Sequence, residues 1–308
     1  MKIMSNPSNT TITMLIVFFS ILFNSCTEDI TINTNNSIPV PVVYGTITDH
    51  YIRQEIALSS STGYFDQKEN ERISDAIVTL EEDSTNITNT YNLTQDSVGS
   101  GIYKTQQPMA GKPGWTYKLT VKTDFDLDGT AENYEAESKM PTRIILDSMN
   151  ITKIKESGYT LYSLNISAQD PADQTNYYFC KYTINGTLYN KISKYIGFDD
   201  TSLNGMYVDD LSIWLFYDKS NISKFNDDDV KDMVFLSSGD KMYIEICNIT
   251  KGYSDFIEDC QGQKDGSNPM FGGPPANIST NISNGARGYF TAYSTSSANS
   301  IVPNDFSE

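Results

Sequence analysis

The chain has 308 residues, 38% of them hydrophobic and 12% aromatic, with 20 Tyr and 14 Phe; that much apolar and aromatic surface excludes a disordered chain. Asp and Glu number 39 against 22 Lys and Arg, a net charge of −17, so the surface repels phosphate backbones and anionic headgroups and no nucleic-acid partner is expected. The length is enough for two domains of ordinary size.

The amino-terminal run Ile12–Phe23 (ITMLIVFFSILF) follows a short polar start whose one charged side chain is Lys2. Asn24, Ser25 and Cys26 come next, then Glu28 and Asp29. That order predicts a lipoprotein signal peptide over residues 1–25, with a lipid on Cys26. An apolar run of about a dozen residues is too short to span a bilayer, which takes roughly 20; an uncleaved membrane anchor is the alternative. Residues 26–38 are polar and read as a tether. With so acidic a surface, attachment to a membrane has to come from acyl chains and not from a basic patch.

From Pro39 the pattern changes to short strands between turn residues. VPVVYGTIT (40–48), QEIALS (54–59), AIVTLEE (76–82) and GIYKT (101–105) come first. WTYKLTVKT (115–123) is the clearest: Trp115, Tyr117, Leu119 and Val121 alternate with Thr116, Lys118, Thr120 and Lys122, the period of a strand lying on a core. Many short strands with regular turn signals predict a β-sandwich over residues 39–142. Met140-Pro141 marks the break, because proline disfavours helix before it and cannot donate to a ladder.

Residues 143–308 predict a second β-rich domain with one or two short helices. RIILDSMNITKI (143–154) and YTLYSLNISAQD (159–170) open it, and in the latter Tyr162, Leu164, Ile166 and Ala168 share one face. NYYFCKYTI (176–184), LSIWLFYD (211–218) and KMYIEICNI (241–249) follow, with a short surface helix expected in SKFNDDDVKDM (223–233). Tyr253, Phe256, Ile257 and Cys260 fall at i, i+3, i+4 and i+7, a helical stripe. The stretch 262–288, rich in Gly, Pro and Asn and carrying Phe271, reads as an irregular loop and a candidate contact surface. YFTAYS (289–294) is the last strand, expected to return to the sheet. Export to an oxidising compartment makes one disulfide among Cys180, Cys247 and Cys260 an expectation. Cys247 with Cys260 is the pairing expected, and three separate thiols are the alternative.

One segment carries recognisable chemistry. In DFDLDGTAENYE (124–135), Asp124, Asp126, Asp128, Thr130, Glu132 and Glu135 stand at positions 1, 3, 5, 7, 9 and 12, with Gly129 at 6. This is the spacing of a calcium loop. A hard cation takes six to eight oxygens, and alternate Asp side chains in a tight loop converge on one point. The flanks read as strands and not helices, so the expectation is a β-hairpin loop holding a structural Ca2+. A solvated, metal-free Asp-Gly turn is the alternative.

Other signals are weaker. His50 is the one histidine, so it cannot form a two-His metal site and reads as a turn residue. No nucleophile elbow, zincin motif or phosphate-binding glycine loop is present. The Asp227-Asp228-Asp229 run reads as a helix start. Trp115 lies on the apolar side of its strand. Trp214 is expected in the core as well, with stacking on a sugar or a peptide as the alternative.

Taken in order, Ser25-Cys26-Thr27-Glu28, VVYGTITD (42–49), Ser74-Asp75-Ala76-Ile77-Val78-Thr79-Leu80, GIYKT, WTYKLTV, GDKMYIEI (239–246) and NISNGARGYFTAYS (281–294) resemble DUF4249, a family of Bacteroidetes outer-membrane lipoproteins. The resemblance implies an immunoglobulin-like or carboxypeptidase-regulatory-like sandwich in the first half. It also implies association with a TonB-dependent outer-membrane receptor. The acidic residues after Cys26 are similar to the signal that sends such lipoproteins to the cell surface. The functional expectation is a lipid-anchored, non-catalytic accessory in nutrient uptake, binding a small molecule, glycan or peptide. A surface glycan or peptide hydrolase using carboxylates and a calcium-stiffened adhesin-like module are the alternatives.

Overall fold

The structure is a computed structural model that describes residues 39–61, 70–172, 174–265 and 278–305. The expected signal peptide, Cys26, the tether and Phe271 lie outside the described residues. No helix among the described residues is long and apolar enough to cross a membrane.

The chain is mostly β. Seven strands come from the first half: β1 (Pro41–Thr48), β2 (Glu55–Ser60), β3 (Ile77–Ser84), β4 (Ile87–Gln95), β5 (Ile102–Thr105), β6 (Thr116–Thr123) and β7 (Glu132–Lys139). The second half adds β8 (Ile145–Glu156), β9 (Tyr159–Gln169), β10 (Tyr177–Ile184), β11 (Thr187–Tyr189), β12 (Ile196–Asp199) and β13 (Tyr207–Asp218). Then come α1 (Asp227–Asp232), β14 (Phe235–Leu236), β15 (Lys241–Ile249), α2 (Lys251–Asp265) and β16 (Arg287–Ile301).

Two sheets hold these strands. The larger runs β11-β10-β15-β16-β1-β2-β5-β4-β3-β6-β7, with β12 also on β10; the smaller runs β14-β13-β9-β8. The alternation read in WTYKLTVKT is realised in β6, where Tyr117, Leu119 and Val121 are buried. They meet Ile47, Ile56, Leu80 and Phe290 in the first core. The large sheet curls around this core until β7 returns to β16. Ala292 N donates to Ser138 Oγ (2.9 Å), and Glu135 N donates to Ser283 Oγ (2.8 Å).

The second core lies between the two sheets. The predicted β9 face of Tyr162, Leu164, Ile166 and Ala168 packs with Cys180, Ile244 and Ile246 from the large sheet. A third cluster forms on the other side of β10 and β15, where Phe179, Cys247 and Ile249 meet Tyr253, Phe256 and Ile257 of α2. Burying each of those three helix side chains contributes roughly 1.5–3 kcal/mol. The helical stripe read from the sequence is therefore what seats α2.

β16 serves two cores. Phe290 and Ala292 belong to the first, and Ala298 packs on the second. The strand pairs parallel with β1, Val43 opposite Gly288, and antiparallel with β15. At Gly288 φ is +95°, and a Cβ there would stand 2.1 Å from the Val43 carbonyl oxygen. Only glycine fits this crossing.

Candidate functional site

β6 and β7 are antiparallel, and Thr123 opposite Glu132 is the last pair of their ladder. The loop between them closes through its own acids. Asp124 Oδ2 accepts from Gly129 N (3.0 Å) and Asp126 Oδ1 from Asp128 N (3.3 Å). Asp128 Oδ1 accepts from Thr130 N (2.7 Å), and Glu132 Oε2 from Phe125 N (3.3 Å). Leu127 at φ 60° and Gly129 at φ 90° give the sharp reversal, and glycine is the residue that enters the second at no steric cost.

The result is a cluster. Asp124, Asp126, Asp128 and Glu132 each place a carboxylate oxygen within 4.8 Å of the others. Asp124 Oδ1 is buried and has no hydrogen-bond partner among the described residues. The donor set, all hard oxygens, fits a Ca2+-like cation. Thr130 joins the loop through its N–H.

Glu135, the expected twelfth-position ligand, is a correction. It lies inside β7 opposite Thr120, exposed, on the other face from buried Tyr134 and Ala136. Because the strand has already begun at Glu132, Glu135 is carried about 10 Å onward at roughly 3.3 Å per residue. The ninth position therefore supplies the last carboxylate.

The expected Cys247–Cys260 disulfide is also corrected. Cys180, Cys247 and Cys260 are free thiols. Cys247 and Cys260 belong to the same cluster, but rings of Phe179, Tyr253 and Phe256 fill it, and burial pushes the Cys180 and Cys247 thiols up.

His50 is less isolated than its sequence suggests. Its Nε2 lies 3.2 Å from Glu245 Oε1, and Lys181 Nζ is 2.6 Å from Glu245 Oε2. The Asp227–Asp229 run forms the first turn of α1, where Asn226 Oδ1 accepts from Asp229 N (2.9 Å); negative side chains there favour the positive helix end. Trp115 packs half-buried on the first core, with Lys112 Nζ 4.0 Å above its ring. Trp214 departs from its expected core position and is 47% exposed.

Sequence reasoning missed a buried acid pair. Asp170 is 6% exposed and Asp200 3%. Asp170 accepts from Tyr178 Oη (2.5 Å) and Gly205 N (2.8 Å), while Asp200 accepts from Asn176 N (2.9 Å) and Nδ2 (3.0 Å). Burial, with the hydrogen-bonded Asp200 carboxyl adding to it, raises Asp170 above the ordinary carboxylate range. The residues lie far apart along the chain in separate turns, so no motif announces them.

Fold and loop together define a mostly β protein of two sheets, with an acidic hairpin loop at one edge of the larger. Residues 27–299 match the family described as "Domain of unknown function (DUF4249)", and the chain belongs to that family. No curated protein matches the chain. Among solved structures, the chicken CNTN1 FN1-FN3 domains are similar at 11% identity with a TM-score of 0.23, over 69% of this chain and 60% of that one. The chain thus spans less than two thirds of that structure's length.

Proposed function

We propose that this chain is a lipoprotein anchored in the outer membrane through an acylated Cys26, facing the cell surface, where it acts as a non-catalytic binding partner of a TonB-dependent receptor in nutrient uptake. The observation that carries the reading is the order Ile12–Phe23, Asn24-Ser25-Cys26, Glu28 and Asp29: an export signal too short to span, ending at an acylatable cysteine with acids behind it. Membership of the DUF4249 family is consistent with it. Asp124, Asp126, Asp128 and Glu132 would hold a Ca2+ ion that fixes the β6–β7 hairpin, a structural role.

Detergent extraction followed by pull-down on a carboxy-terminal tag tests the partnership. A large β-barrel receptor retained with the wild type, and lost from membranes along with the Cys26→Ala variant, is the expected result. Recovery of the protein alone from intact envelopes would overturn it.

A further inference from the structure

The rim of the large sheet that carries the acidic loop is also the rim at which the chain enters the fold. The register fixes this. The 124–131 loop follows Thr123, which stands opposite Glu132. Ile77, at the start of β3, stands opposite Lys122 of β6. Gln95, at the end of β4, stands opposite Tyr103 of β5, so the 96–101 turn lies at the same rim. Ala57 of β2 opposite Ile102, and Pro41 opposite Ser60, bring the start of β1 there as well. The entry is pinned, with Val40 N donating to Ser61 Oγ (2.9 Å).

Three apolar side chains stand out on this rim. Val98 of the 96–101 turn is fully exposed, Leu127 is 81% exposed and Ile77 65%. Leu127 is the least expected. Its φ of 60° is a left-handed backbone that leucine rarely adopts and asparagine or aspartate enters more readily. An apolar side chain on a strained backbone, presented to water, stabilises nothing in the folded chain. Strain of that kind at a loop tip points to a contact made outside the chain.

The position of the tether says what lies outside. Residues 26–38, thirteen in all, join the acylatable Cys26 to this rim, and thirteen residues reach at most about 45 Å. The opposite rim, where the turn after β1 carries the exposed Tyr51 and Ile52, is farther off by the eight residues of β1, about 26 Å. The near rim is therefore the one set against the lipid. Its apolar tips also suit lipid better than protein. The connections bearing Leu127 and Val98 are three strand intervals apart in the order β5-β4-β3-β6-β7, on the order of 14 Å, and a protein interface needs a contiguous, packed centre. A fluid surface takes separate tips.

We infer that this rim rests on the lipid surface to which Cys26 is anchored, with Leu127 and Val98 seated at the boundary of headgroups and acyl chains. Tips of this size bind a bilayer weakly by themselves; the acyl anchor supplies the second signal that stable attachment needs, and holds the tips at high local concentration. Bare, the four acids of the loop repel lipid phosphates. A cation held by Asp124, Asp126, Asp128 and Glu132 offsets that charge and leaves Leu127 foremost. The inference rests on the anchored-lipoprotein reading and on no receptor.

Depth in the bilayer tests it. The full-length protein, its acyl groups confirmed by intact mass, is reconstituted into vesicles of phosphatidylcholine and phosphatidylglycerol in millimolar calcium. In a Cys260→Ser background, where the remaining thiols Cys180 and Cys247 are buried, Leu127→Cys, Val98→Cys and, on the opposite rim, Tyr51→Cys each carry a nitrobenzoxadiazole label. Blue-shifted emission, quenched by lipids spin-labelled near the headgroup end of the acyl chain, is expected at positions 127 and 98 and not at 51. Leu127→Asn, which suits the left-handed backbone, should melt no lower than the wild type and yet weaken quenching of the Val98→Cys label severalfold. Aqueous emission at both tips of the acylated protein would overturn this proposal alone. So would quenching at position 51 as strong as at 127, Val98→Cys quenching untouched by Leu127→Asn, or a blue shift that appears only when a β-barrel receptor is added. A chain recovered without acyl groups would overturn the anchored reading and this proposal together.

Discussion

Calcium added to chelated protein should raise the melting temperature, and the structure names the residues responsible. Four carboxylates with oxygens within 4.8 Å of one another form six like-charge pairs, each costing about 1 kcal/mol even at the dielectric of water. Hydrogen bonds from Phe125, Asp128, Gly129 and Thr130 N–H groups offset part of this, and salt screens more, but buried Asp124 Oδ1 gains nothing from either source. A cation at a hundred times its dissociation constant adds about 2.7 kcal/mol to stability. For a protein of this size that corresponds to roughly 4–5 °C in Tm. Differential scanning fluorimetry with and without millimolar calcium reads the shift directly. Asp126→Asn with Asp128→Asn abolishes it, Glu132→Gln diminishes it, and Glu135→Gln leaves it intact. A wild type indifferent to calcium would refute the metal. A Glu135→Gln variant as defective as Glu132→Gln would refute the ninth-position ligand.

Two further outcomes follow from the packing and the buried acids. Gly288→Ala forces a side chain into φ +95° and against the Val43 carbonyl; a left-handed strain of about 1–3 kcal/mol, with the clash added, should lower Tm by several degrees, and an unchanged Tm would refute the parallel β1–β16 crossing. Asp170 has a folded pKa raised by burial and by Asp200, so the folded protein binds that proton more tightly than the unfolded chain. Its contribution to stability is full below the unfolded pKa and is lost as pH rises through the folded one. Melting curves from pH 4 to pH 7 should show Asp170→Asn gaining on the wild type as pH rises; a difference that stays flat would refute the raised pKa.

Much of the fold was legible where local pattern and tertiary surroundings agree. The alternation of Tyr117, Leu119 and Val121, the shared face of Tyr162 through Ala168, and the Tyr253–Cys260 stripe each became the buried side of their element. β4 went unread because only Leu93 in ITNTYNLTQ is fully buried and Tyr91 partly so, and the polar Asn89 and Gln95 on the same face mask the alternation. Trp214 was misplaced because exposure at a sheet edge depends on which strands lie beside it, a property of topology and not of the sequence LSIWLFYD. The acidic loop was legible to its ninth position. The twelfth position, Glu135, falls inside β7, which begins at Glu132, so strand geometry turns it outward. The carboxyl pair of Asp170 and Asp200 comes together only when β9 and the turn after β12 have packed.

The claim on which the functional account stands is the anchor. Intact-mass and peptide mass spectrometry of the protein recovered from native envelopes should find a mature chain beginning at Cys26, with the mass of a diacylglyceryl group on its sulfur. A first residue elsewhere, or an unmodified Cys26, would contradict it.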